Sequence, residues 1–371
     1  MHQSYWERDQ VNEFIRVLRP VLVLLICAVH TPFILGYTAN VTALDAPQML
    51  LSVYTKDVLA RSAVPLLSVI SGYLAFFSYK KYGYRQFITK KVKIVLIPFI
   101  VTNIVTLILF KLAEEFTNTP VPALQGVVGI MSTLKGIFGI DRLPINGPLY
   151  FLRDLFLICC CVTVIDMIAR CRFVVICVCV ALLYLNFQNS GLIMRWGEQP
   201  IAILYRVDMV FFFLLGYFFS VQGIKPRKID NYTAFVSVLF YGLTMLSVAI
   251  AISLIKPAMA NYLEYRWSIG FLALCFLPAF MTLTHMFRET SVYQLLLRLS
   301  PYSFMMFLTH LIFAVIFTGA VSNLDINITL TSALLWQIVF FGVYLAGCIA
   351  FAIAVRKSLI AARRFLPSKA T

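Results

Sequence analysis

Apolar runs of similar length, separated by short polar connections, occupy most of the chain. A hydrocarbon core about 30 Å thick is crossed by ~20 residues of α-helix. At that length the pattern predicts ten helices, at roughly 14–37, 58–79, 92–113, 148–168, 172–188, 201–221, 232–255, 268–287, 302–321 and 332–355. The longest connection, 114–147, holds Pro120, Pro122, Gly126, Gly129, Gly136, Gly139 and Pro144, yet includes the apolar stretch VVGIMSTLKGIFGI. A structureless loop of that length is unusual in a compact protein. The stretch therefore predicts a short interfacial or re-entrant helix near 124–140 on the outer side, where it is placed to cover a pocket. The expected fold is an all-α polytopic membrane protein, a single domain over 1–371 with neither internal repeats nor an appended soluble domain. The N-terminal MHQSYWERDQVNEF is charged and mixed in sign, and no small-residue cleavage pattern follows the first span, which is read as retained.

Composition supports this reading. The chain of 371 residues is 61% hydrophobic and 13% charged, where soluble domains carry about a quarter charged residues, and its mean hydropathy is +0.88. A net charge of +15 raises nucleic acid as a partner, but the placement of the cations argues for topology instead. Lys80, Lys81, Arg85, Lys90, Lys91 and Lys93 lie around the second connection. Arg170 and Arg172 lie in the fourth, Lys225, Arg227 and Lys228 in the sixth, Arg288 and Arg298 in the eighth, and Arg356, Lys357, Arg363, Arg364 and Lys369 in the tail. The alternate connections hold only Lys56, Lys135, Arg142, Arg195, Lys256 and Arg266. The positive-inside rule then places both termini in the cytoplasm, and no nucleic acid is needed to explain the charge. All nine cysteines lie in or beside apolar runs and read as small buried hydrophobes. No pair of C-x-x-C motifs or accompanying histidines supports a metal site.

Candidate chemistry concentrates in the first span, FIRVLRPVLVLLICAVHTPFILGY. Ionisable groups inside a span face the bundle interior or a water-filled cavity and mark functional sites. Arg19 and His30 are eleven residues apart, which on an ideal helix places them about 20° apart around the axis and roughly 16 Å along it. Arg16 falls on the same side. A histidine deprotonates a hydroxyl near neutral pH; alternatively it is a packing residue hydrogen-bonded across the bundle. Arg16 reads as a snorkelling flank, and Arg19, which is deeper, as the partner of an internal anion.

Further along, Pro65 interrupts the backbone ladder of the second span ahead of Ser71 and Gly72. Those residues either permit close helix approach or leave open backbone donors for an anion. Arg85, Lys90 and Lys93 form a cytoplasmic phosphate funnel in addition to setting topology. Arg153 and Asp154 in the fourth span and Arg206 and Asp208 in the sixth suggest a formally neutral network near the outer mouth, either a helix tie or a substrate site. Neighbours in sequence face different sides of a helix, so Arg153 and Asp154 are expected to pair elsewhere. His310 stands in the ninth span without a charged companion, and His2 and His285 suggest no site.

Arg19-x10-His30, Ser71-Gly72-Tyr73 after Pro65, the basic run from Arg85 into Lys93 and Pro98, Leu149-Tyr150-Phe151-Leu152, and Ser303-x6-His310 occur in that order. Together they resemble the integral-membrane type 3 acyltransferase family, and in particular its bacterial surface-glycan O-acetyltransferases, over residues 14–321. The resemblance implies a multi-pass protein of the bacterial inner membrane that transfers an acyl group from cytoplasmic acyl-CoA, commonly acetyl-CoA, to a sugar hydroxyl of a glycan or lipid-linked glycan. The acyl-CoA is a co-substrate, and no permanently bound cofactor is implied. By position, His30 becomes the catalytic histidine, and Arg19, with Arg16, holds the donor. Ser71 and Gly72 line its pocket, and Arg85, Lys90 and Lys93 meet the CoA phosphates. Tyr150, Arg153, Asp154, Arg206, Asp208 and His310 remain candidates for the acceptor side. One departure stands out. Related sequences often carry an acid just before the span 1 arginine, whereas here Arg16 lies three residues before Arg19 and the nearest acid is Glu13. The rival readings are an exporter of a glycan or small amphiphile, which has no need of acyl-CoA, and a scaffold of a glycan-synthesis complex, in which His30 and Arg19 are freely replaceable.

Overall fold

The computed structural model describes residues 5–30, 50, 53–117, 121–140, 142–188, 206–255, 264–322 and 330–365. The outer end of the first predicted span (31–37), the start of the sixth (201–205) and most of the ninth connection lie outside these residues. The described chain is helical, with no β-strand and one bridge, between Tyr5 and Arg227. Its helices are α1 (Arg8–Val29), α2 (Ala63–Lys91), α3 (Ile97–Thr117), α4 (Gly129–Phe138), α5 (Tyr150–Cys160), α6 (Val162–Arg170) and α7 (Arg172–Gln188). They continue with α8 (Val207–Val221), α9 (Asn231–Ile255), α10 (Glu264–Cys275), α11 (Leu277–Met286), α12 (Ser291–Leu299), α13 (Ser303–Ser322) and α14 (Leu330–Phe365). A π-helical turn (Val53–Val58) and a 3-10 turn (Leu59–Ser62) lead into α2, and a second π-helical turn (Val92–Leu96) leads into α3.

Four described stretches are long and apolar enough to cross a membrane: Val53–Phe116, Asn231–Ile252, Ser291–Phe317 and Ile338–Ser358. Counting each of two bent helix pairs as a span makes six. The first stretch, at 64 residues, would be about 96 Å long as one straight helix, three times the thickness of a hydrocarbon core of ~30 Å. It is divided at Gly83, whose φ of 67° and ψ of 173° are not helical, so it has room for both the second and the third predicted spans. The basic segment from Lys80 to Lys91, expected as a connection, is itself helical on either side of Gly83. Lys, Arg and Gln are good helix formers, and glycine supplies the backbone conformation at the break. α3 and α9 turn Ile104, Ile108, Phe235 and Leu239 outward, as helices solvated by hydrocarbon do. A helix does form inside 124–140, as α4, and Val128, Ile130 and Met131 at its start are exposed.

The chain divides into two compact units. One comprises Met1–Glu7, Val64–Lys228 and Asn261–Cys275. In it, Pro65 lies in the first turn of α2, directly after the 3-10 turn, and removes one backbone donor there. Helix α2 then continues unbroken past Ser71 and Gly72. Of the two readings of Ser71 and Gly72, the open backbone is absent and the close helix approach is present at Gly72. A Cβ on Gly72 would overlap the Phe213 carbonyl, and one on Gly216 would overlap that of Val69, so α2 and α8 touch backbone to backbone through two glycines. Gly216→Leu is expected to destabilise the chain by at least the ~1–3 kcal/mol of an overpacked core. The check is the temperature at which the detergent-solubilised chain loses its monodisperse chromatographic peak, and an unchanged temperature would refute the contact. Beside this crossing, Val69, Phe211, Phe212 and Trp267 form a buried cluster, with the Phe211 and Trp267 rings 4.6 Å apart.

The segments expected on the cytoplasmic side meet one another within this unit. Trp6 N–H donates to the Pro226 carbonyl (3.0 Å), and Lys225 pairs with Glu7 (3.2 Å). Asp166 accepts from Lys80 (3.1 Å), Arg170 (2.6 Å) and the Tyr217 hydroxyl (3.0 Å), and Arg172 donates to Gln222 (3.1 Å). The same grouping recurs in the second unit (Arg8–Ala63, Ile229–Ala260 and Phe276–Thr371). There Glu13 at the start of α1 accepts from the Tyr293 hydroxyl (2.5 Å) and pairs with Arg288 (3.3 Å). Arg356 in α14 lies over the Tyr302 ring at 4.6 Å.

Candidate active site

In the second unit α1 packs against α12, α13, α14 and the irregular segment 53–62. Its sequence explains why it is helical despite its charges. Val11, Phe14, Ile15, Val17, Leu22, Val23, Ile26 and Cys27 are buried, giving an apolar face at helical spacing. Pro20 lies inside the helix and removes one backbone donor. Arg16 is exposed, as a snorkelling flank should be. Arg19 is half-buried and makes no hydrogen bond or ion pair with a described residue. The nearest acid does not serve it, because Glu13 is taken up by Tyr293 and Arg288.

His30 follows α1 in a closing turn, its N–H donating to the Cys27 carbonyl at 3.1 Å. Its imidazole lies 5.2 Å, centroid to centroid, from that of His310, with the planes tilted by 48°. His310 is completely buried in α13. Its Nδ1 lies 2.7 Å from the Phe307 carbonyl, and its backbone carbonyl accepts from the Tyr344 hydroxyl at 3.4 Å. The Cys27 thiol hydrogen-bonds Cys348 of α14 one turn below. Sequence alone leaves His310 without a companion; packing gives it His30.

Two further residues stand here that the sequence pattern did not single out. Lys56 and Arg61, on the irregular turns before α2, place their positive charge where His30 feels it. Arg61 reaches Asp57 at 3.5 Å, while its Nε is buried with no partner among the described residues. The available signals were a lone cation, Lys56, in a cation-poor connection and an ionisable residue, Arg61, inside the second predicted span. Among the described residues the result is a pair of imidazoles with two cations on the neighbouring segment, where Arg61 also reaches the acid Asp57.

The remaining candidates belong to the first unit. Arg85 and Lys93 are exposed, and Lys90 lies over the Tyr82 ring at 3.0 Å. Arg153, Asp154, Arg206 and Asp208 are all buried and do form one neutral network, but with different pairings from those expected. Arg153 donates to its own neighbour Asp154 through Nε (2.9 Å) and Nη2 (2.7 Å), and through Nη1 to the Gly139 carbonyl. Arg206 donates its backbone N–H to Asp154 (3.0 Å), its Nη1 to the Tyr150 hydroxyl (2.9 Å) and its Nε to Asp208 (2.7 Å), with a second bond from Nη2 to Asp208. The helix-face rule that argued against the first pair governs where Cβ atoms point. A long guanidinium can fold back across that distance, and Arg206 is extended (φ −133°, ψ 106°) rather than helical. Each charge is satisfied internally, which is the mark of a helix tie. Asn103, Thr106 and Asn146, linked by Asn146 N–H to Asn103 (2.9 Å) and Asn146 Nδ2 to Thr106 (3.1 Å), are a second buried polar tie that the sequence reading passed over.

The described residues are helical, include apolar helices of membrane length and bring a histidine pair near two cations, a setting suited to a membrane-embedded transferase. The sequence family described as an acyltransferase domain matches residues 12–353, and the chain belongs to it, the integral-membrane type 3 acyltransferases. Among curated proteins it is similar to the succinoglycan biosynthesis protein ExoH of Rhizobium meliloti (strain 1021), 26% identical over 256 residues. The match covers 66% of this chain and 62% of that relative, so the chain spans less than two thirds of its length. No solved structure matches the chain.

Proposed function

We propose that the chain is an inner-membrane O-acyltransferase with ten spans and both termini in the cytoplasm. It carries an acyl group, acetyl first among the options, from cytoplasmic acyl-CoA to a sugar hydroxyl of a cell-surface glycan or exopolysaccharide. The family membership supports acyl transfer, and the relative's name supports a polysaccharide setting. The observation that carries the reading is His30 in ring contact with His310 beside Arg61 and Lys56. Acyl transfer asks for a base and a cation in that relation.

In this reaction His30 takes the proton of the acceptor hydroxyl as its oxygen attacks the thioester carbonyl carbon. The carbonyl oxygen gains negative charge, and in this proposal Arg61 and Lys56 supply the positive charge that stabilises it. The C–S bond then breaks, and the departing CoA thiolate recovers the proton from His30. Arg19, a half-buried cation without an anionic partner among the described residues, is suited to an anionic part of the donor. Exposed Arg85 and Lys93 are suited to CoA phosphates, whereas Lys90 is already engaged by Tyr82.

The test is turnover by the purified full chain in lipid nanodiscs with labelled acetyl-CoA or succinyl-CoA and lipid-linked glycans from the host, read by mass spectrometry of the glycan. An acyl-sized mass gain names both donor and acceptor. An exporter would bind neither thioester, and that outcome would overturn the reading. Arg19→Ala is expected to raise the donor KM by about 10–100-fold, equivalent to the ~1.5–3 kcal/mol of a charge-assisted hydrogen bond. An unchanged KM in radiolabel kinetics would remove Arg19 from donor binding.

A further inference from the structure

A histidine that acts as a base needs a third group on its other ring nitrogen to fix its tautomer, and in hydrolytic triads a carboxylate does this. Among the described residues no carboxylate bonds His30. Asp57 is turned to Arg61, and Glu13 is held by Tyr293 and Arg288. What stands against His30 is His310. A carbonyl only accepts, so the 2.7 Å contact between Nδ1 and the Phe307 carbonyl puts the His310 proton on Nδ1. In a neutral imidazole the other nitrogen then carries a lone pair. That nitrogen, Nε2, is buried with no hydrogen-bond partner among the described residues, on a residue with 0% exposure. A buried acceptor in this state calls for a donor, and the neighbouring ring that has one is His30, 5.2 Å away between centroids.

We propose that His310 is the positioning residue of His30. Its Nε2 lone pair accepts the His30 N–H that faces away from the acceptor hydroxyl, through one bridging water, and holds His30 in the tautomer whose bare nitrogen takes the hydroxyl proton. When His30 is protonated during the attack, its distal N–H remains linked to Nε2 through that water, and the proton returned to the CoA thiolate is the one taken from the sugar. His310 itself gains and loses no proton. The chain thus uses a buried imidazole, with its tautomer set by a backbone carbonyl, in the place of a carboxylate. This inference rests on the acyl-transfer reading, and it removes His310 from the acceptor-binding candidates.

Two variants and one spectrum test it in the full chain in nanodiscs. His310→Ala is expected to lower kcat about 10²–10⁴-fold, the range over which a triad histidine loses its orienting partner. The KM for acyl-CoA should stay within about twofold, because no uniform binding is lost. His310→Gln, whose amide offers a donor to Phe307 and an acceptor to His30, should recover at least about tenfold of that loss, as a repaired orienting hydrogen bond does. In 15N-histidine spectra of a chain with four histidines, assigned by difference from His30→Ala, His30 should show a single neutral tautomer in the wild type and a mixture in His310→Ala. Wild-type kcat in His310→Ala, a raised KM with unchanged kcat, glutamine no better than alanine, or a His30 tautomer indifferent to His310 would each overturn the proposal. If the wild-type chain transfers no acyl group, the acyl-transfer reading has failed; the tautomer measurement still decides whether His310 positions His30.

Discussion

His30→Ala is expected to leave the chain folded and inserted while reducing glycan acylation by at least the ~10²–10⁴-fold that a positioned base contributes. Folding should survive because His30 follows the last turn of α1 and is only partly buried, and because its one proposed side-chain partner, His310, stays anchored to the Phe307 carbonyl. Cells carrying the wild-type chain, no chain, or the variant would be compared by mass spectrometry of surface and lipid-linked glycans. The acyl mass should appear with the wild-type chain alone, on a glycan otherwise present in all three. Full acylation with the variant would sink the mechanism. Loss of the whole glycan without the chain would favour export.

Arg206→Leu should have the opposite signature, a loss of folded protein. The substitution leaves Asp208 without its guanidinium and the Tyr150 hydroxyl without its donor inside the first unit. Removing one member of a buried ion pair destabilises by about 3–5 kcal/mol, a large share of the ~5–15 kcal/mol by which proteins are stable. Thermal unfolding of the solubilised chain, followed by fluorescence-detected chromatography, should show a clear fall in midpoint. The double variant Arg206→Leu with Asp208→Leu should recover most of it, since an apolar replacement of a whole pair is often neutral. If the single variant instead melts like the wild type and loses acylation, the network belongs to the acceptor site rather than to the helix tie.

The contrast between these two sites shows what could be read in advance. Both were visible as ionisable residues in apolar runs, because a charge in a span stands out against any hydropathy pattern. Their roles were not visible. Sequence paired Arg153 with a distant group, and the fold gave it Asp154 next door and the Gly139 carbonyl. Sequence offered Gly72 as an open backbone donor or a packing residue, and the contact with Phe213 made it packing. Sequence left His310 alone and did not single out Arg61; both stand by His30.

The sequence by itself determined that the described chain is helical with runs suited to a bilayer, that α4 interrupts the longest connection, and that Arg19 lies on the first helix with His30 just beyond its end. These are local properties, set by hydropathy over about 20 residues and by the 3.6-residue turn. Tertiary structure alone decided the partners. Glu13 finds Tyr293 across 280 positions, His30 finds His310, and Asp154 accepts from Arg206 across 52. Such pairs depend on how helices pack and on where long side chains bend. In a bundle where most surfaces are alike in apolarity, hydropathy carries no information about which helix faces which, and the few polar groups reveal it only after they have met.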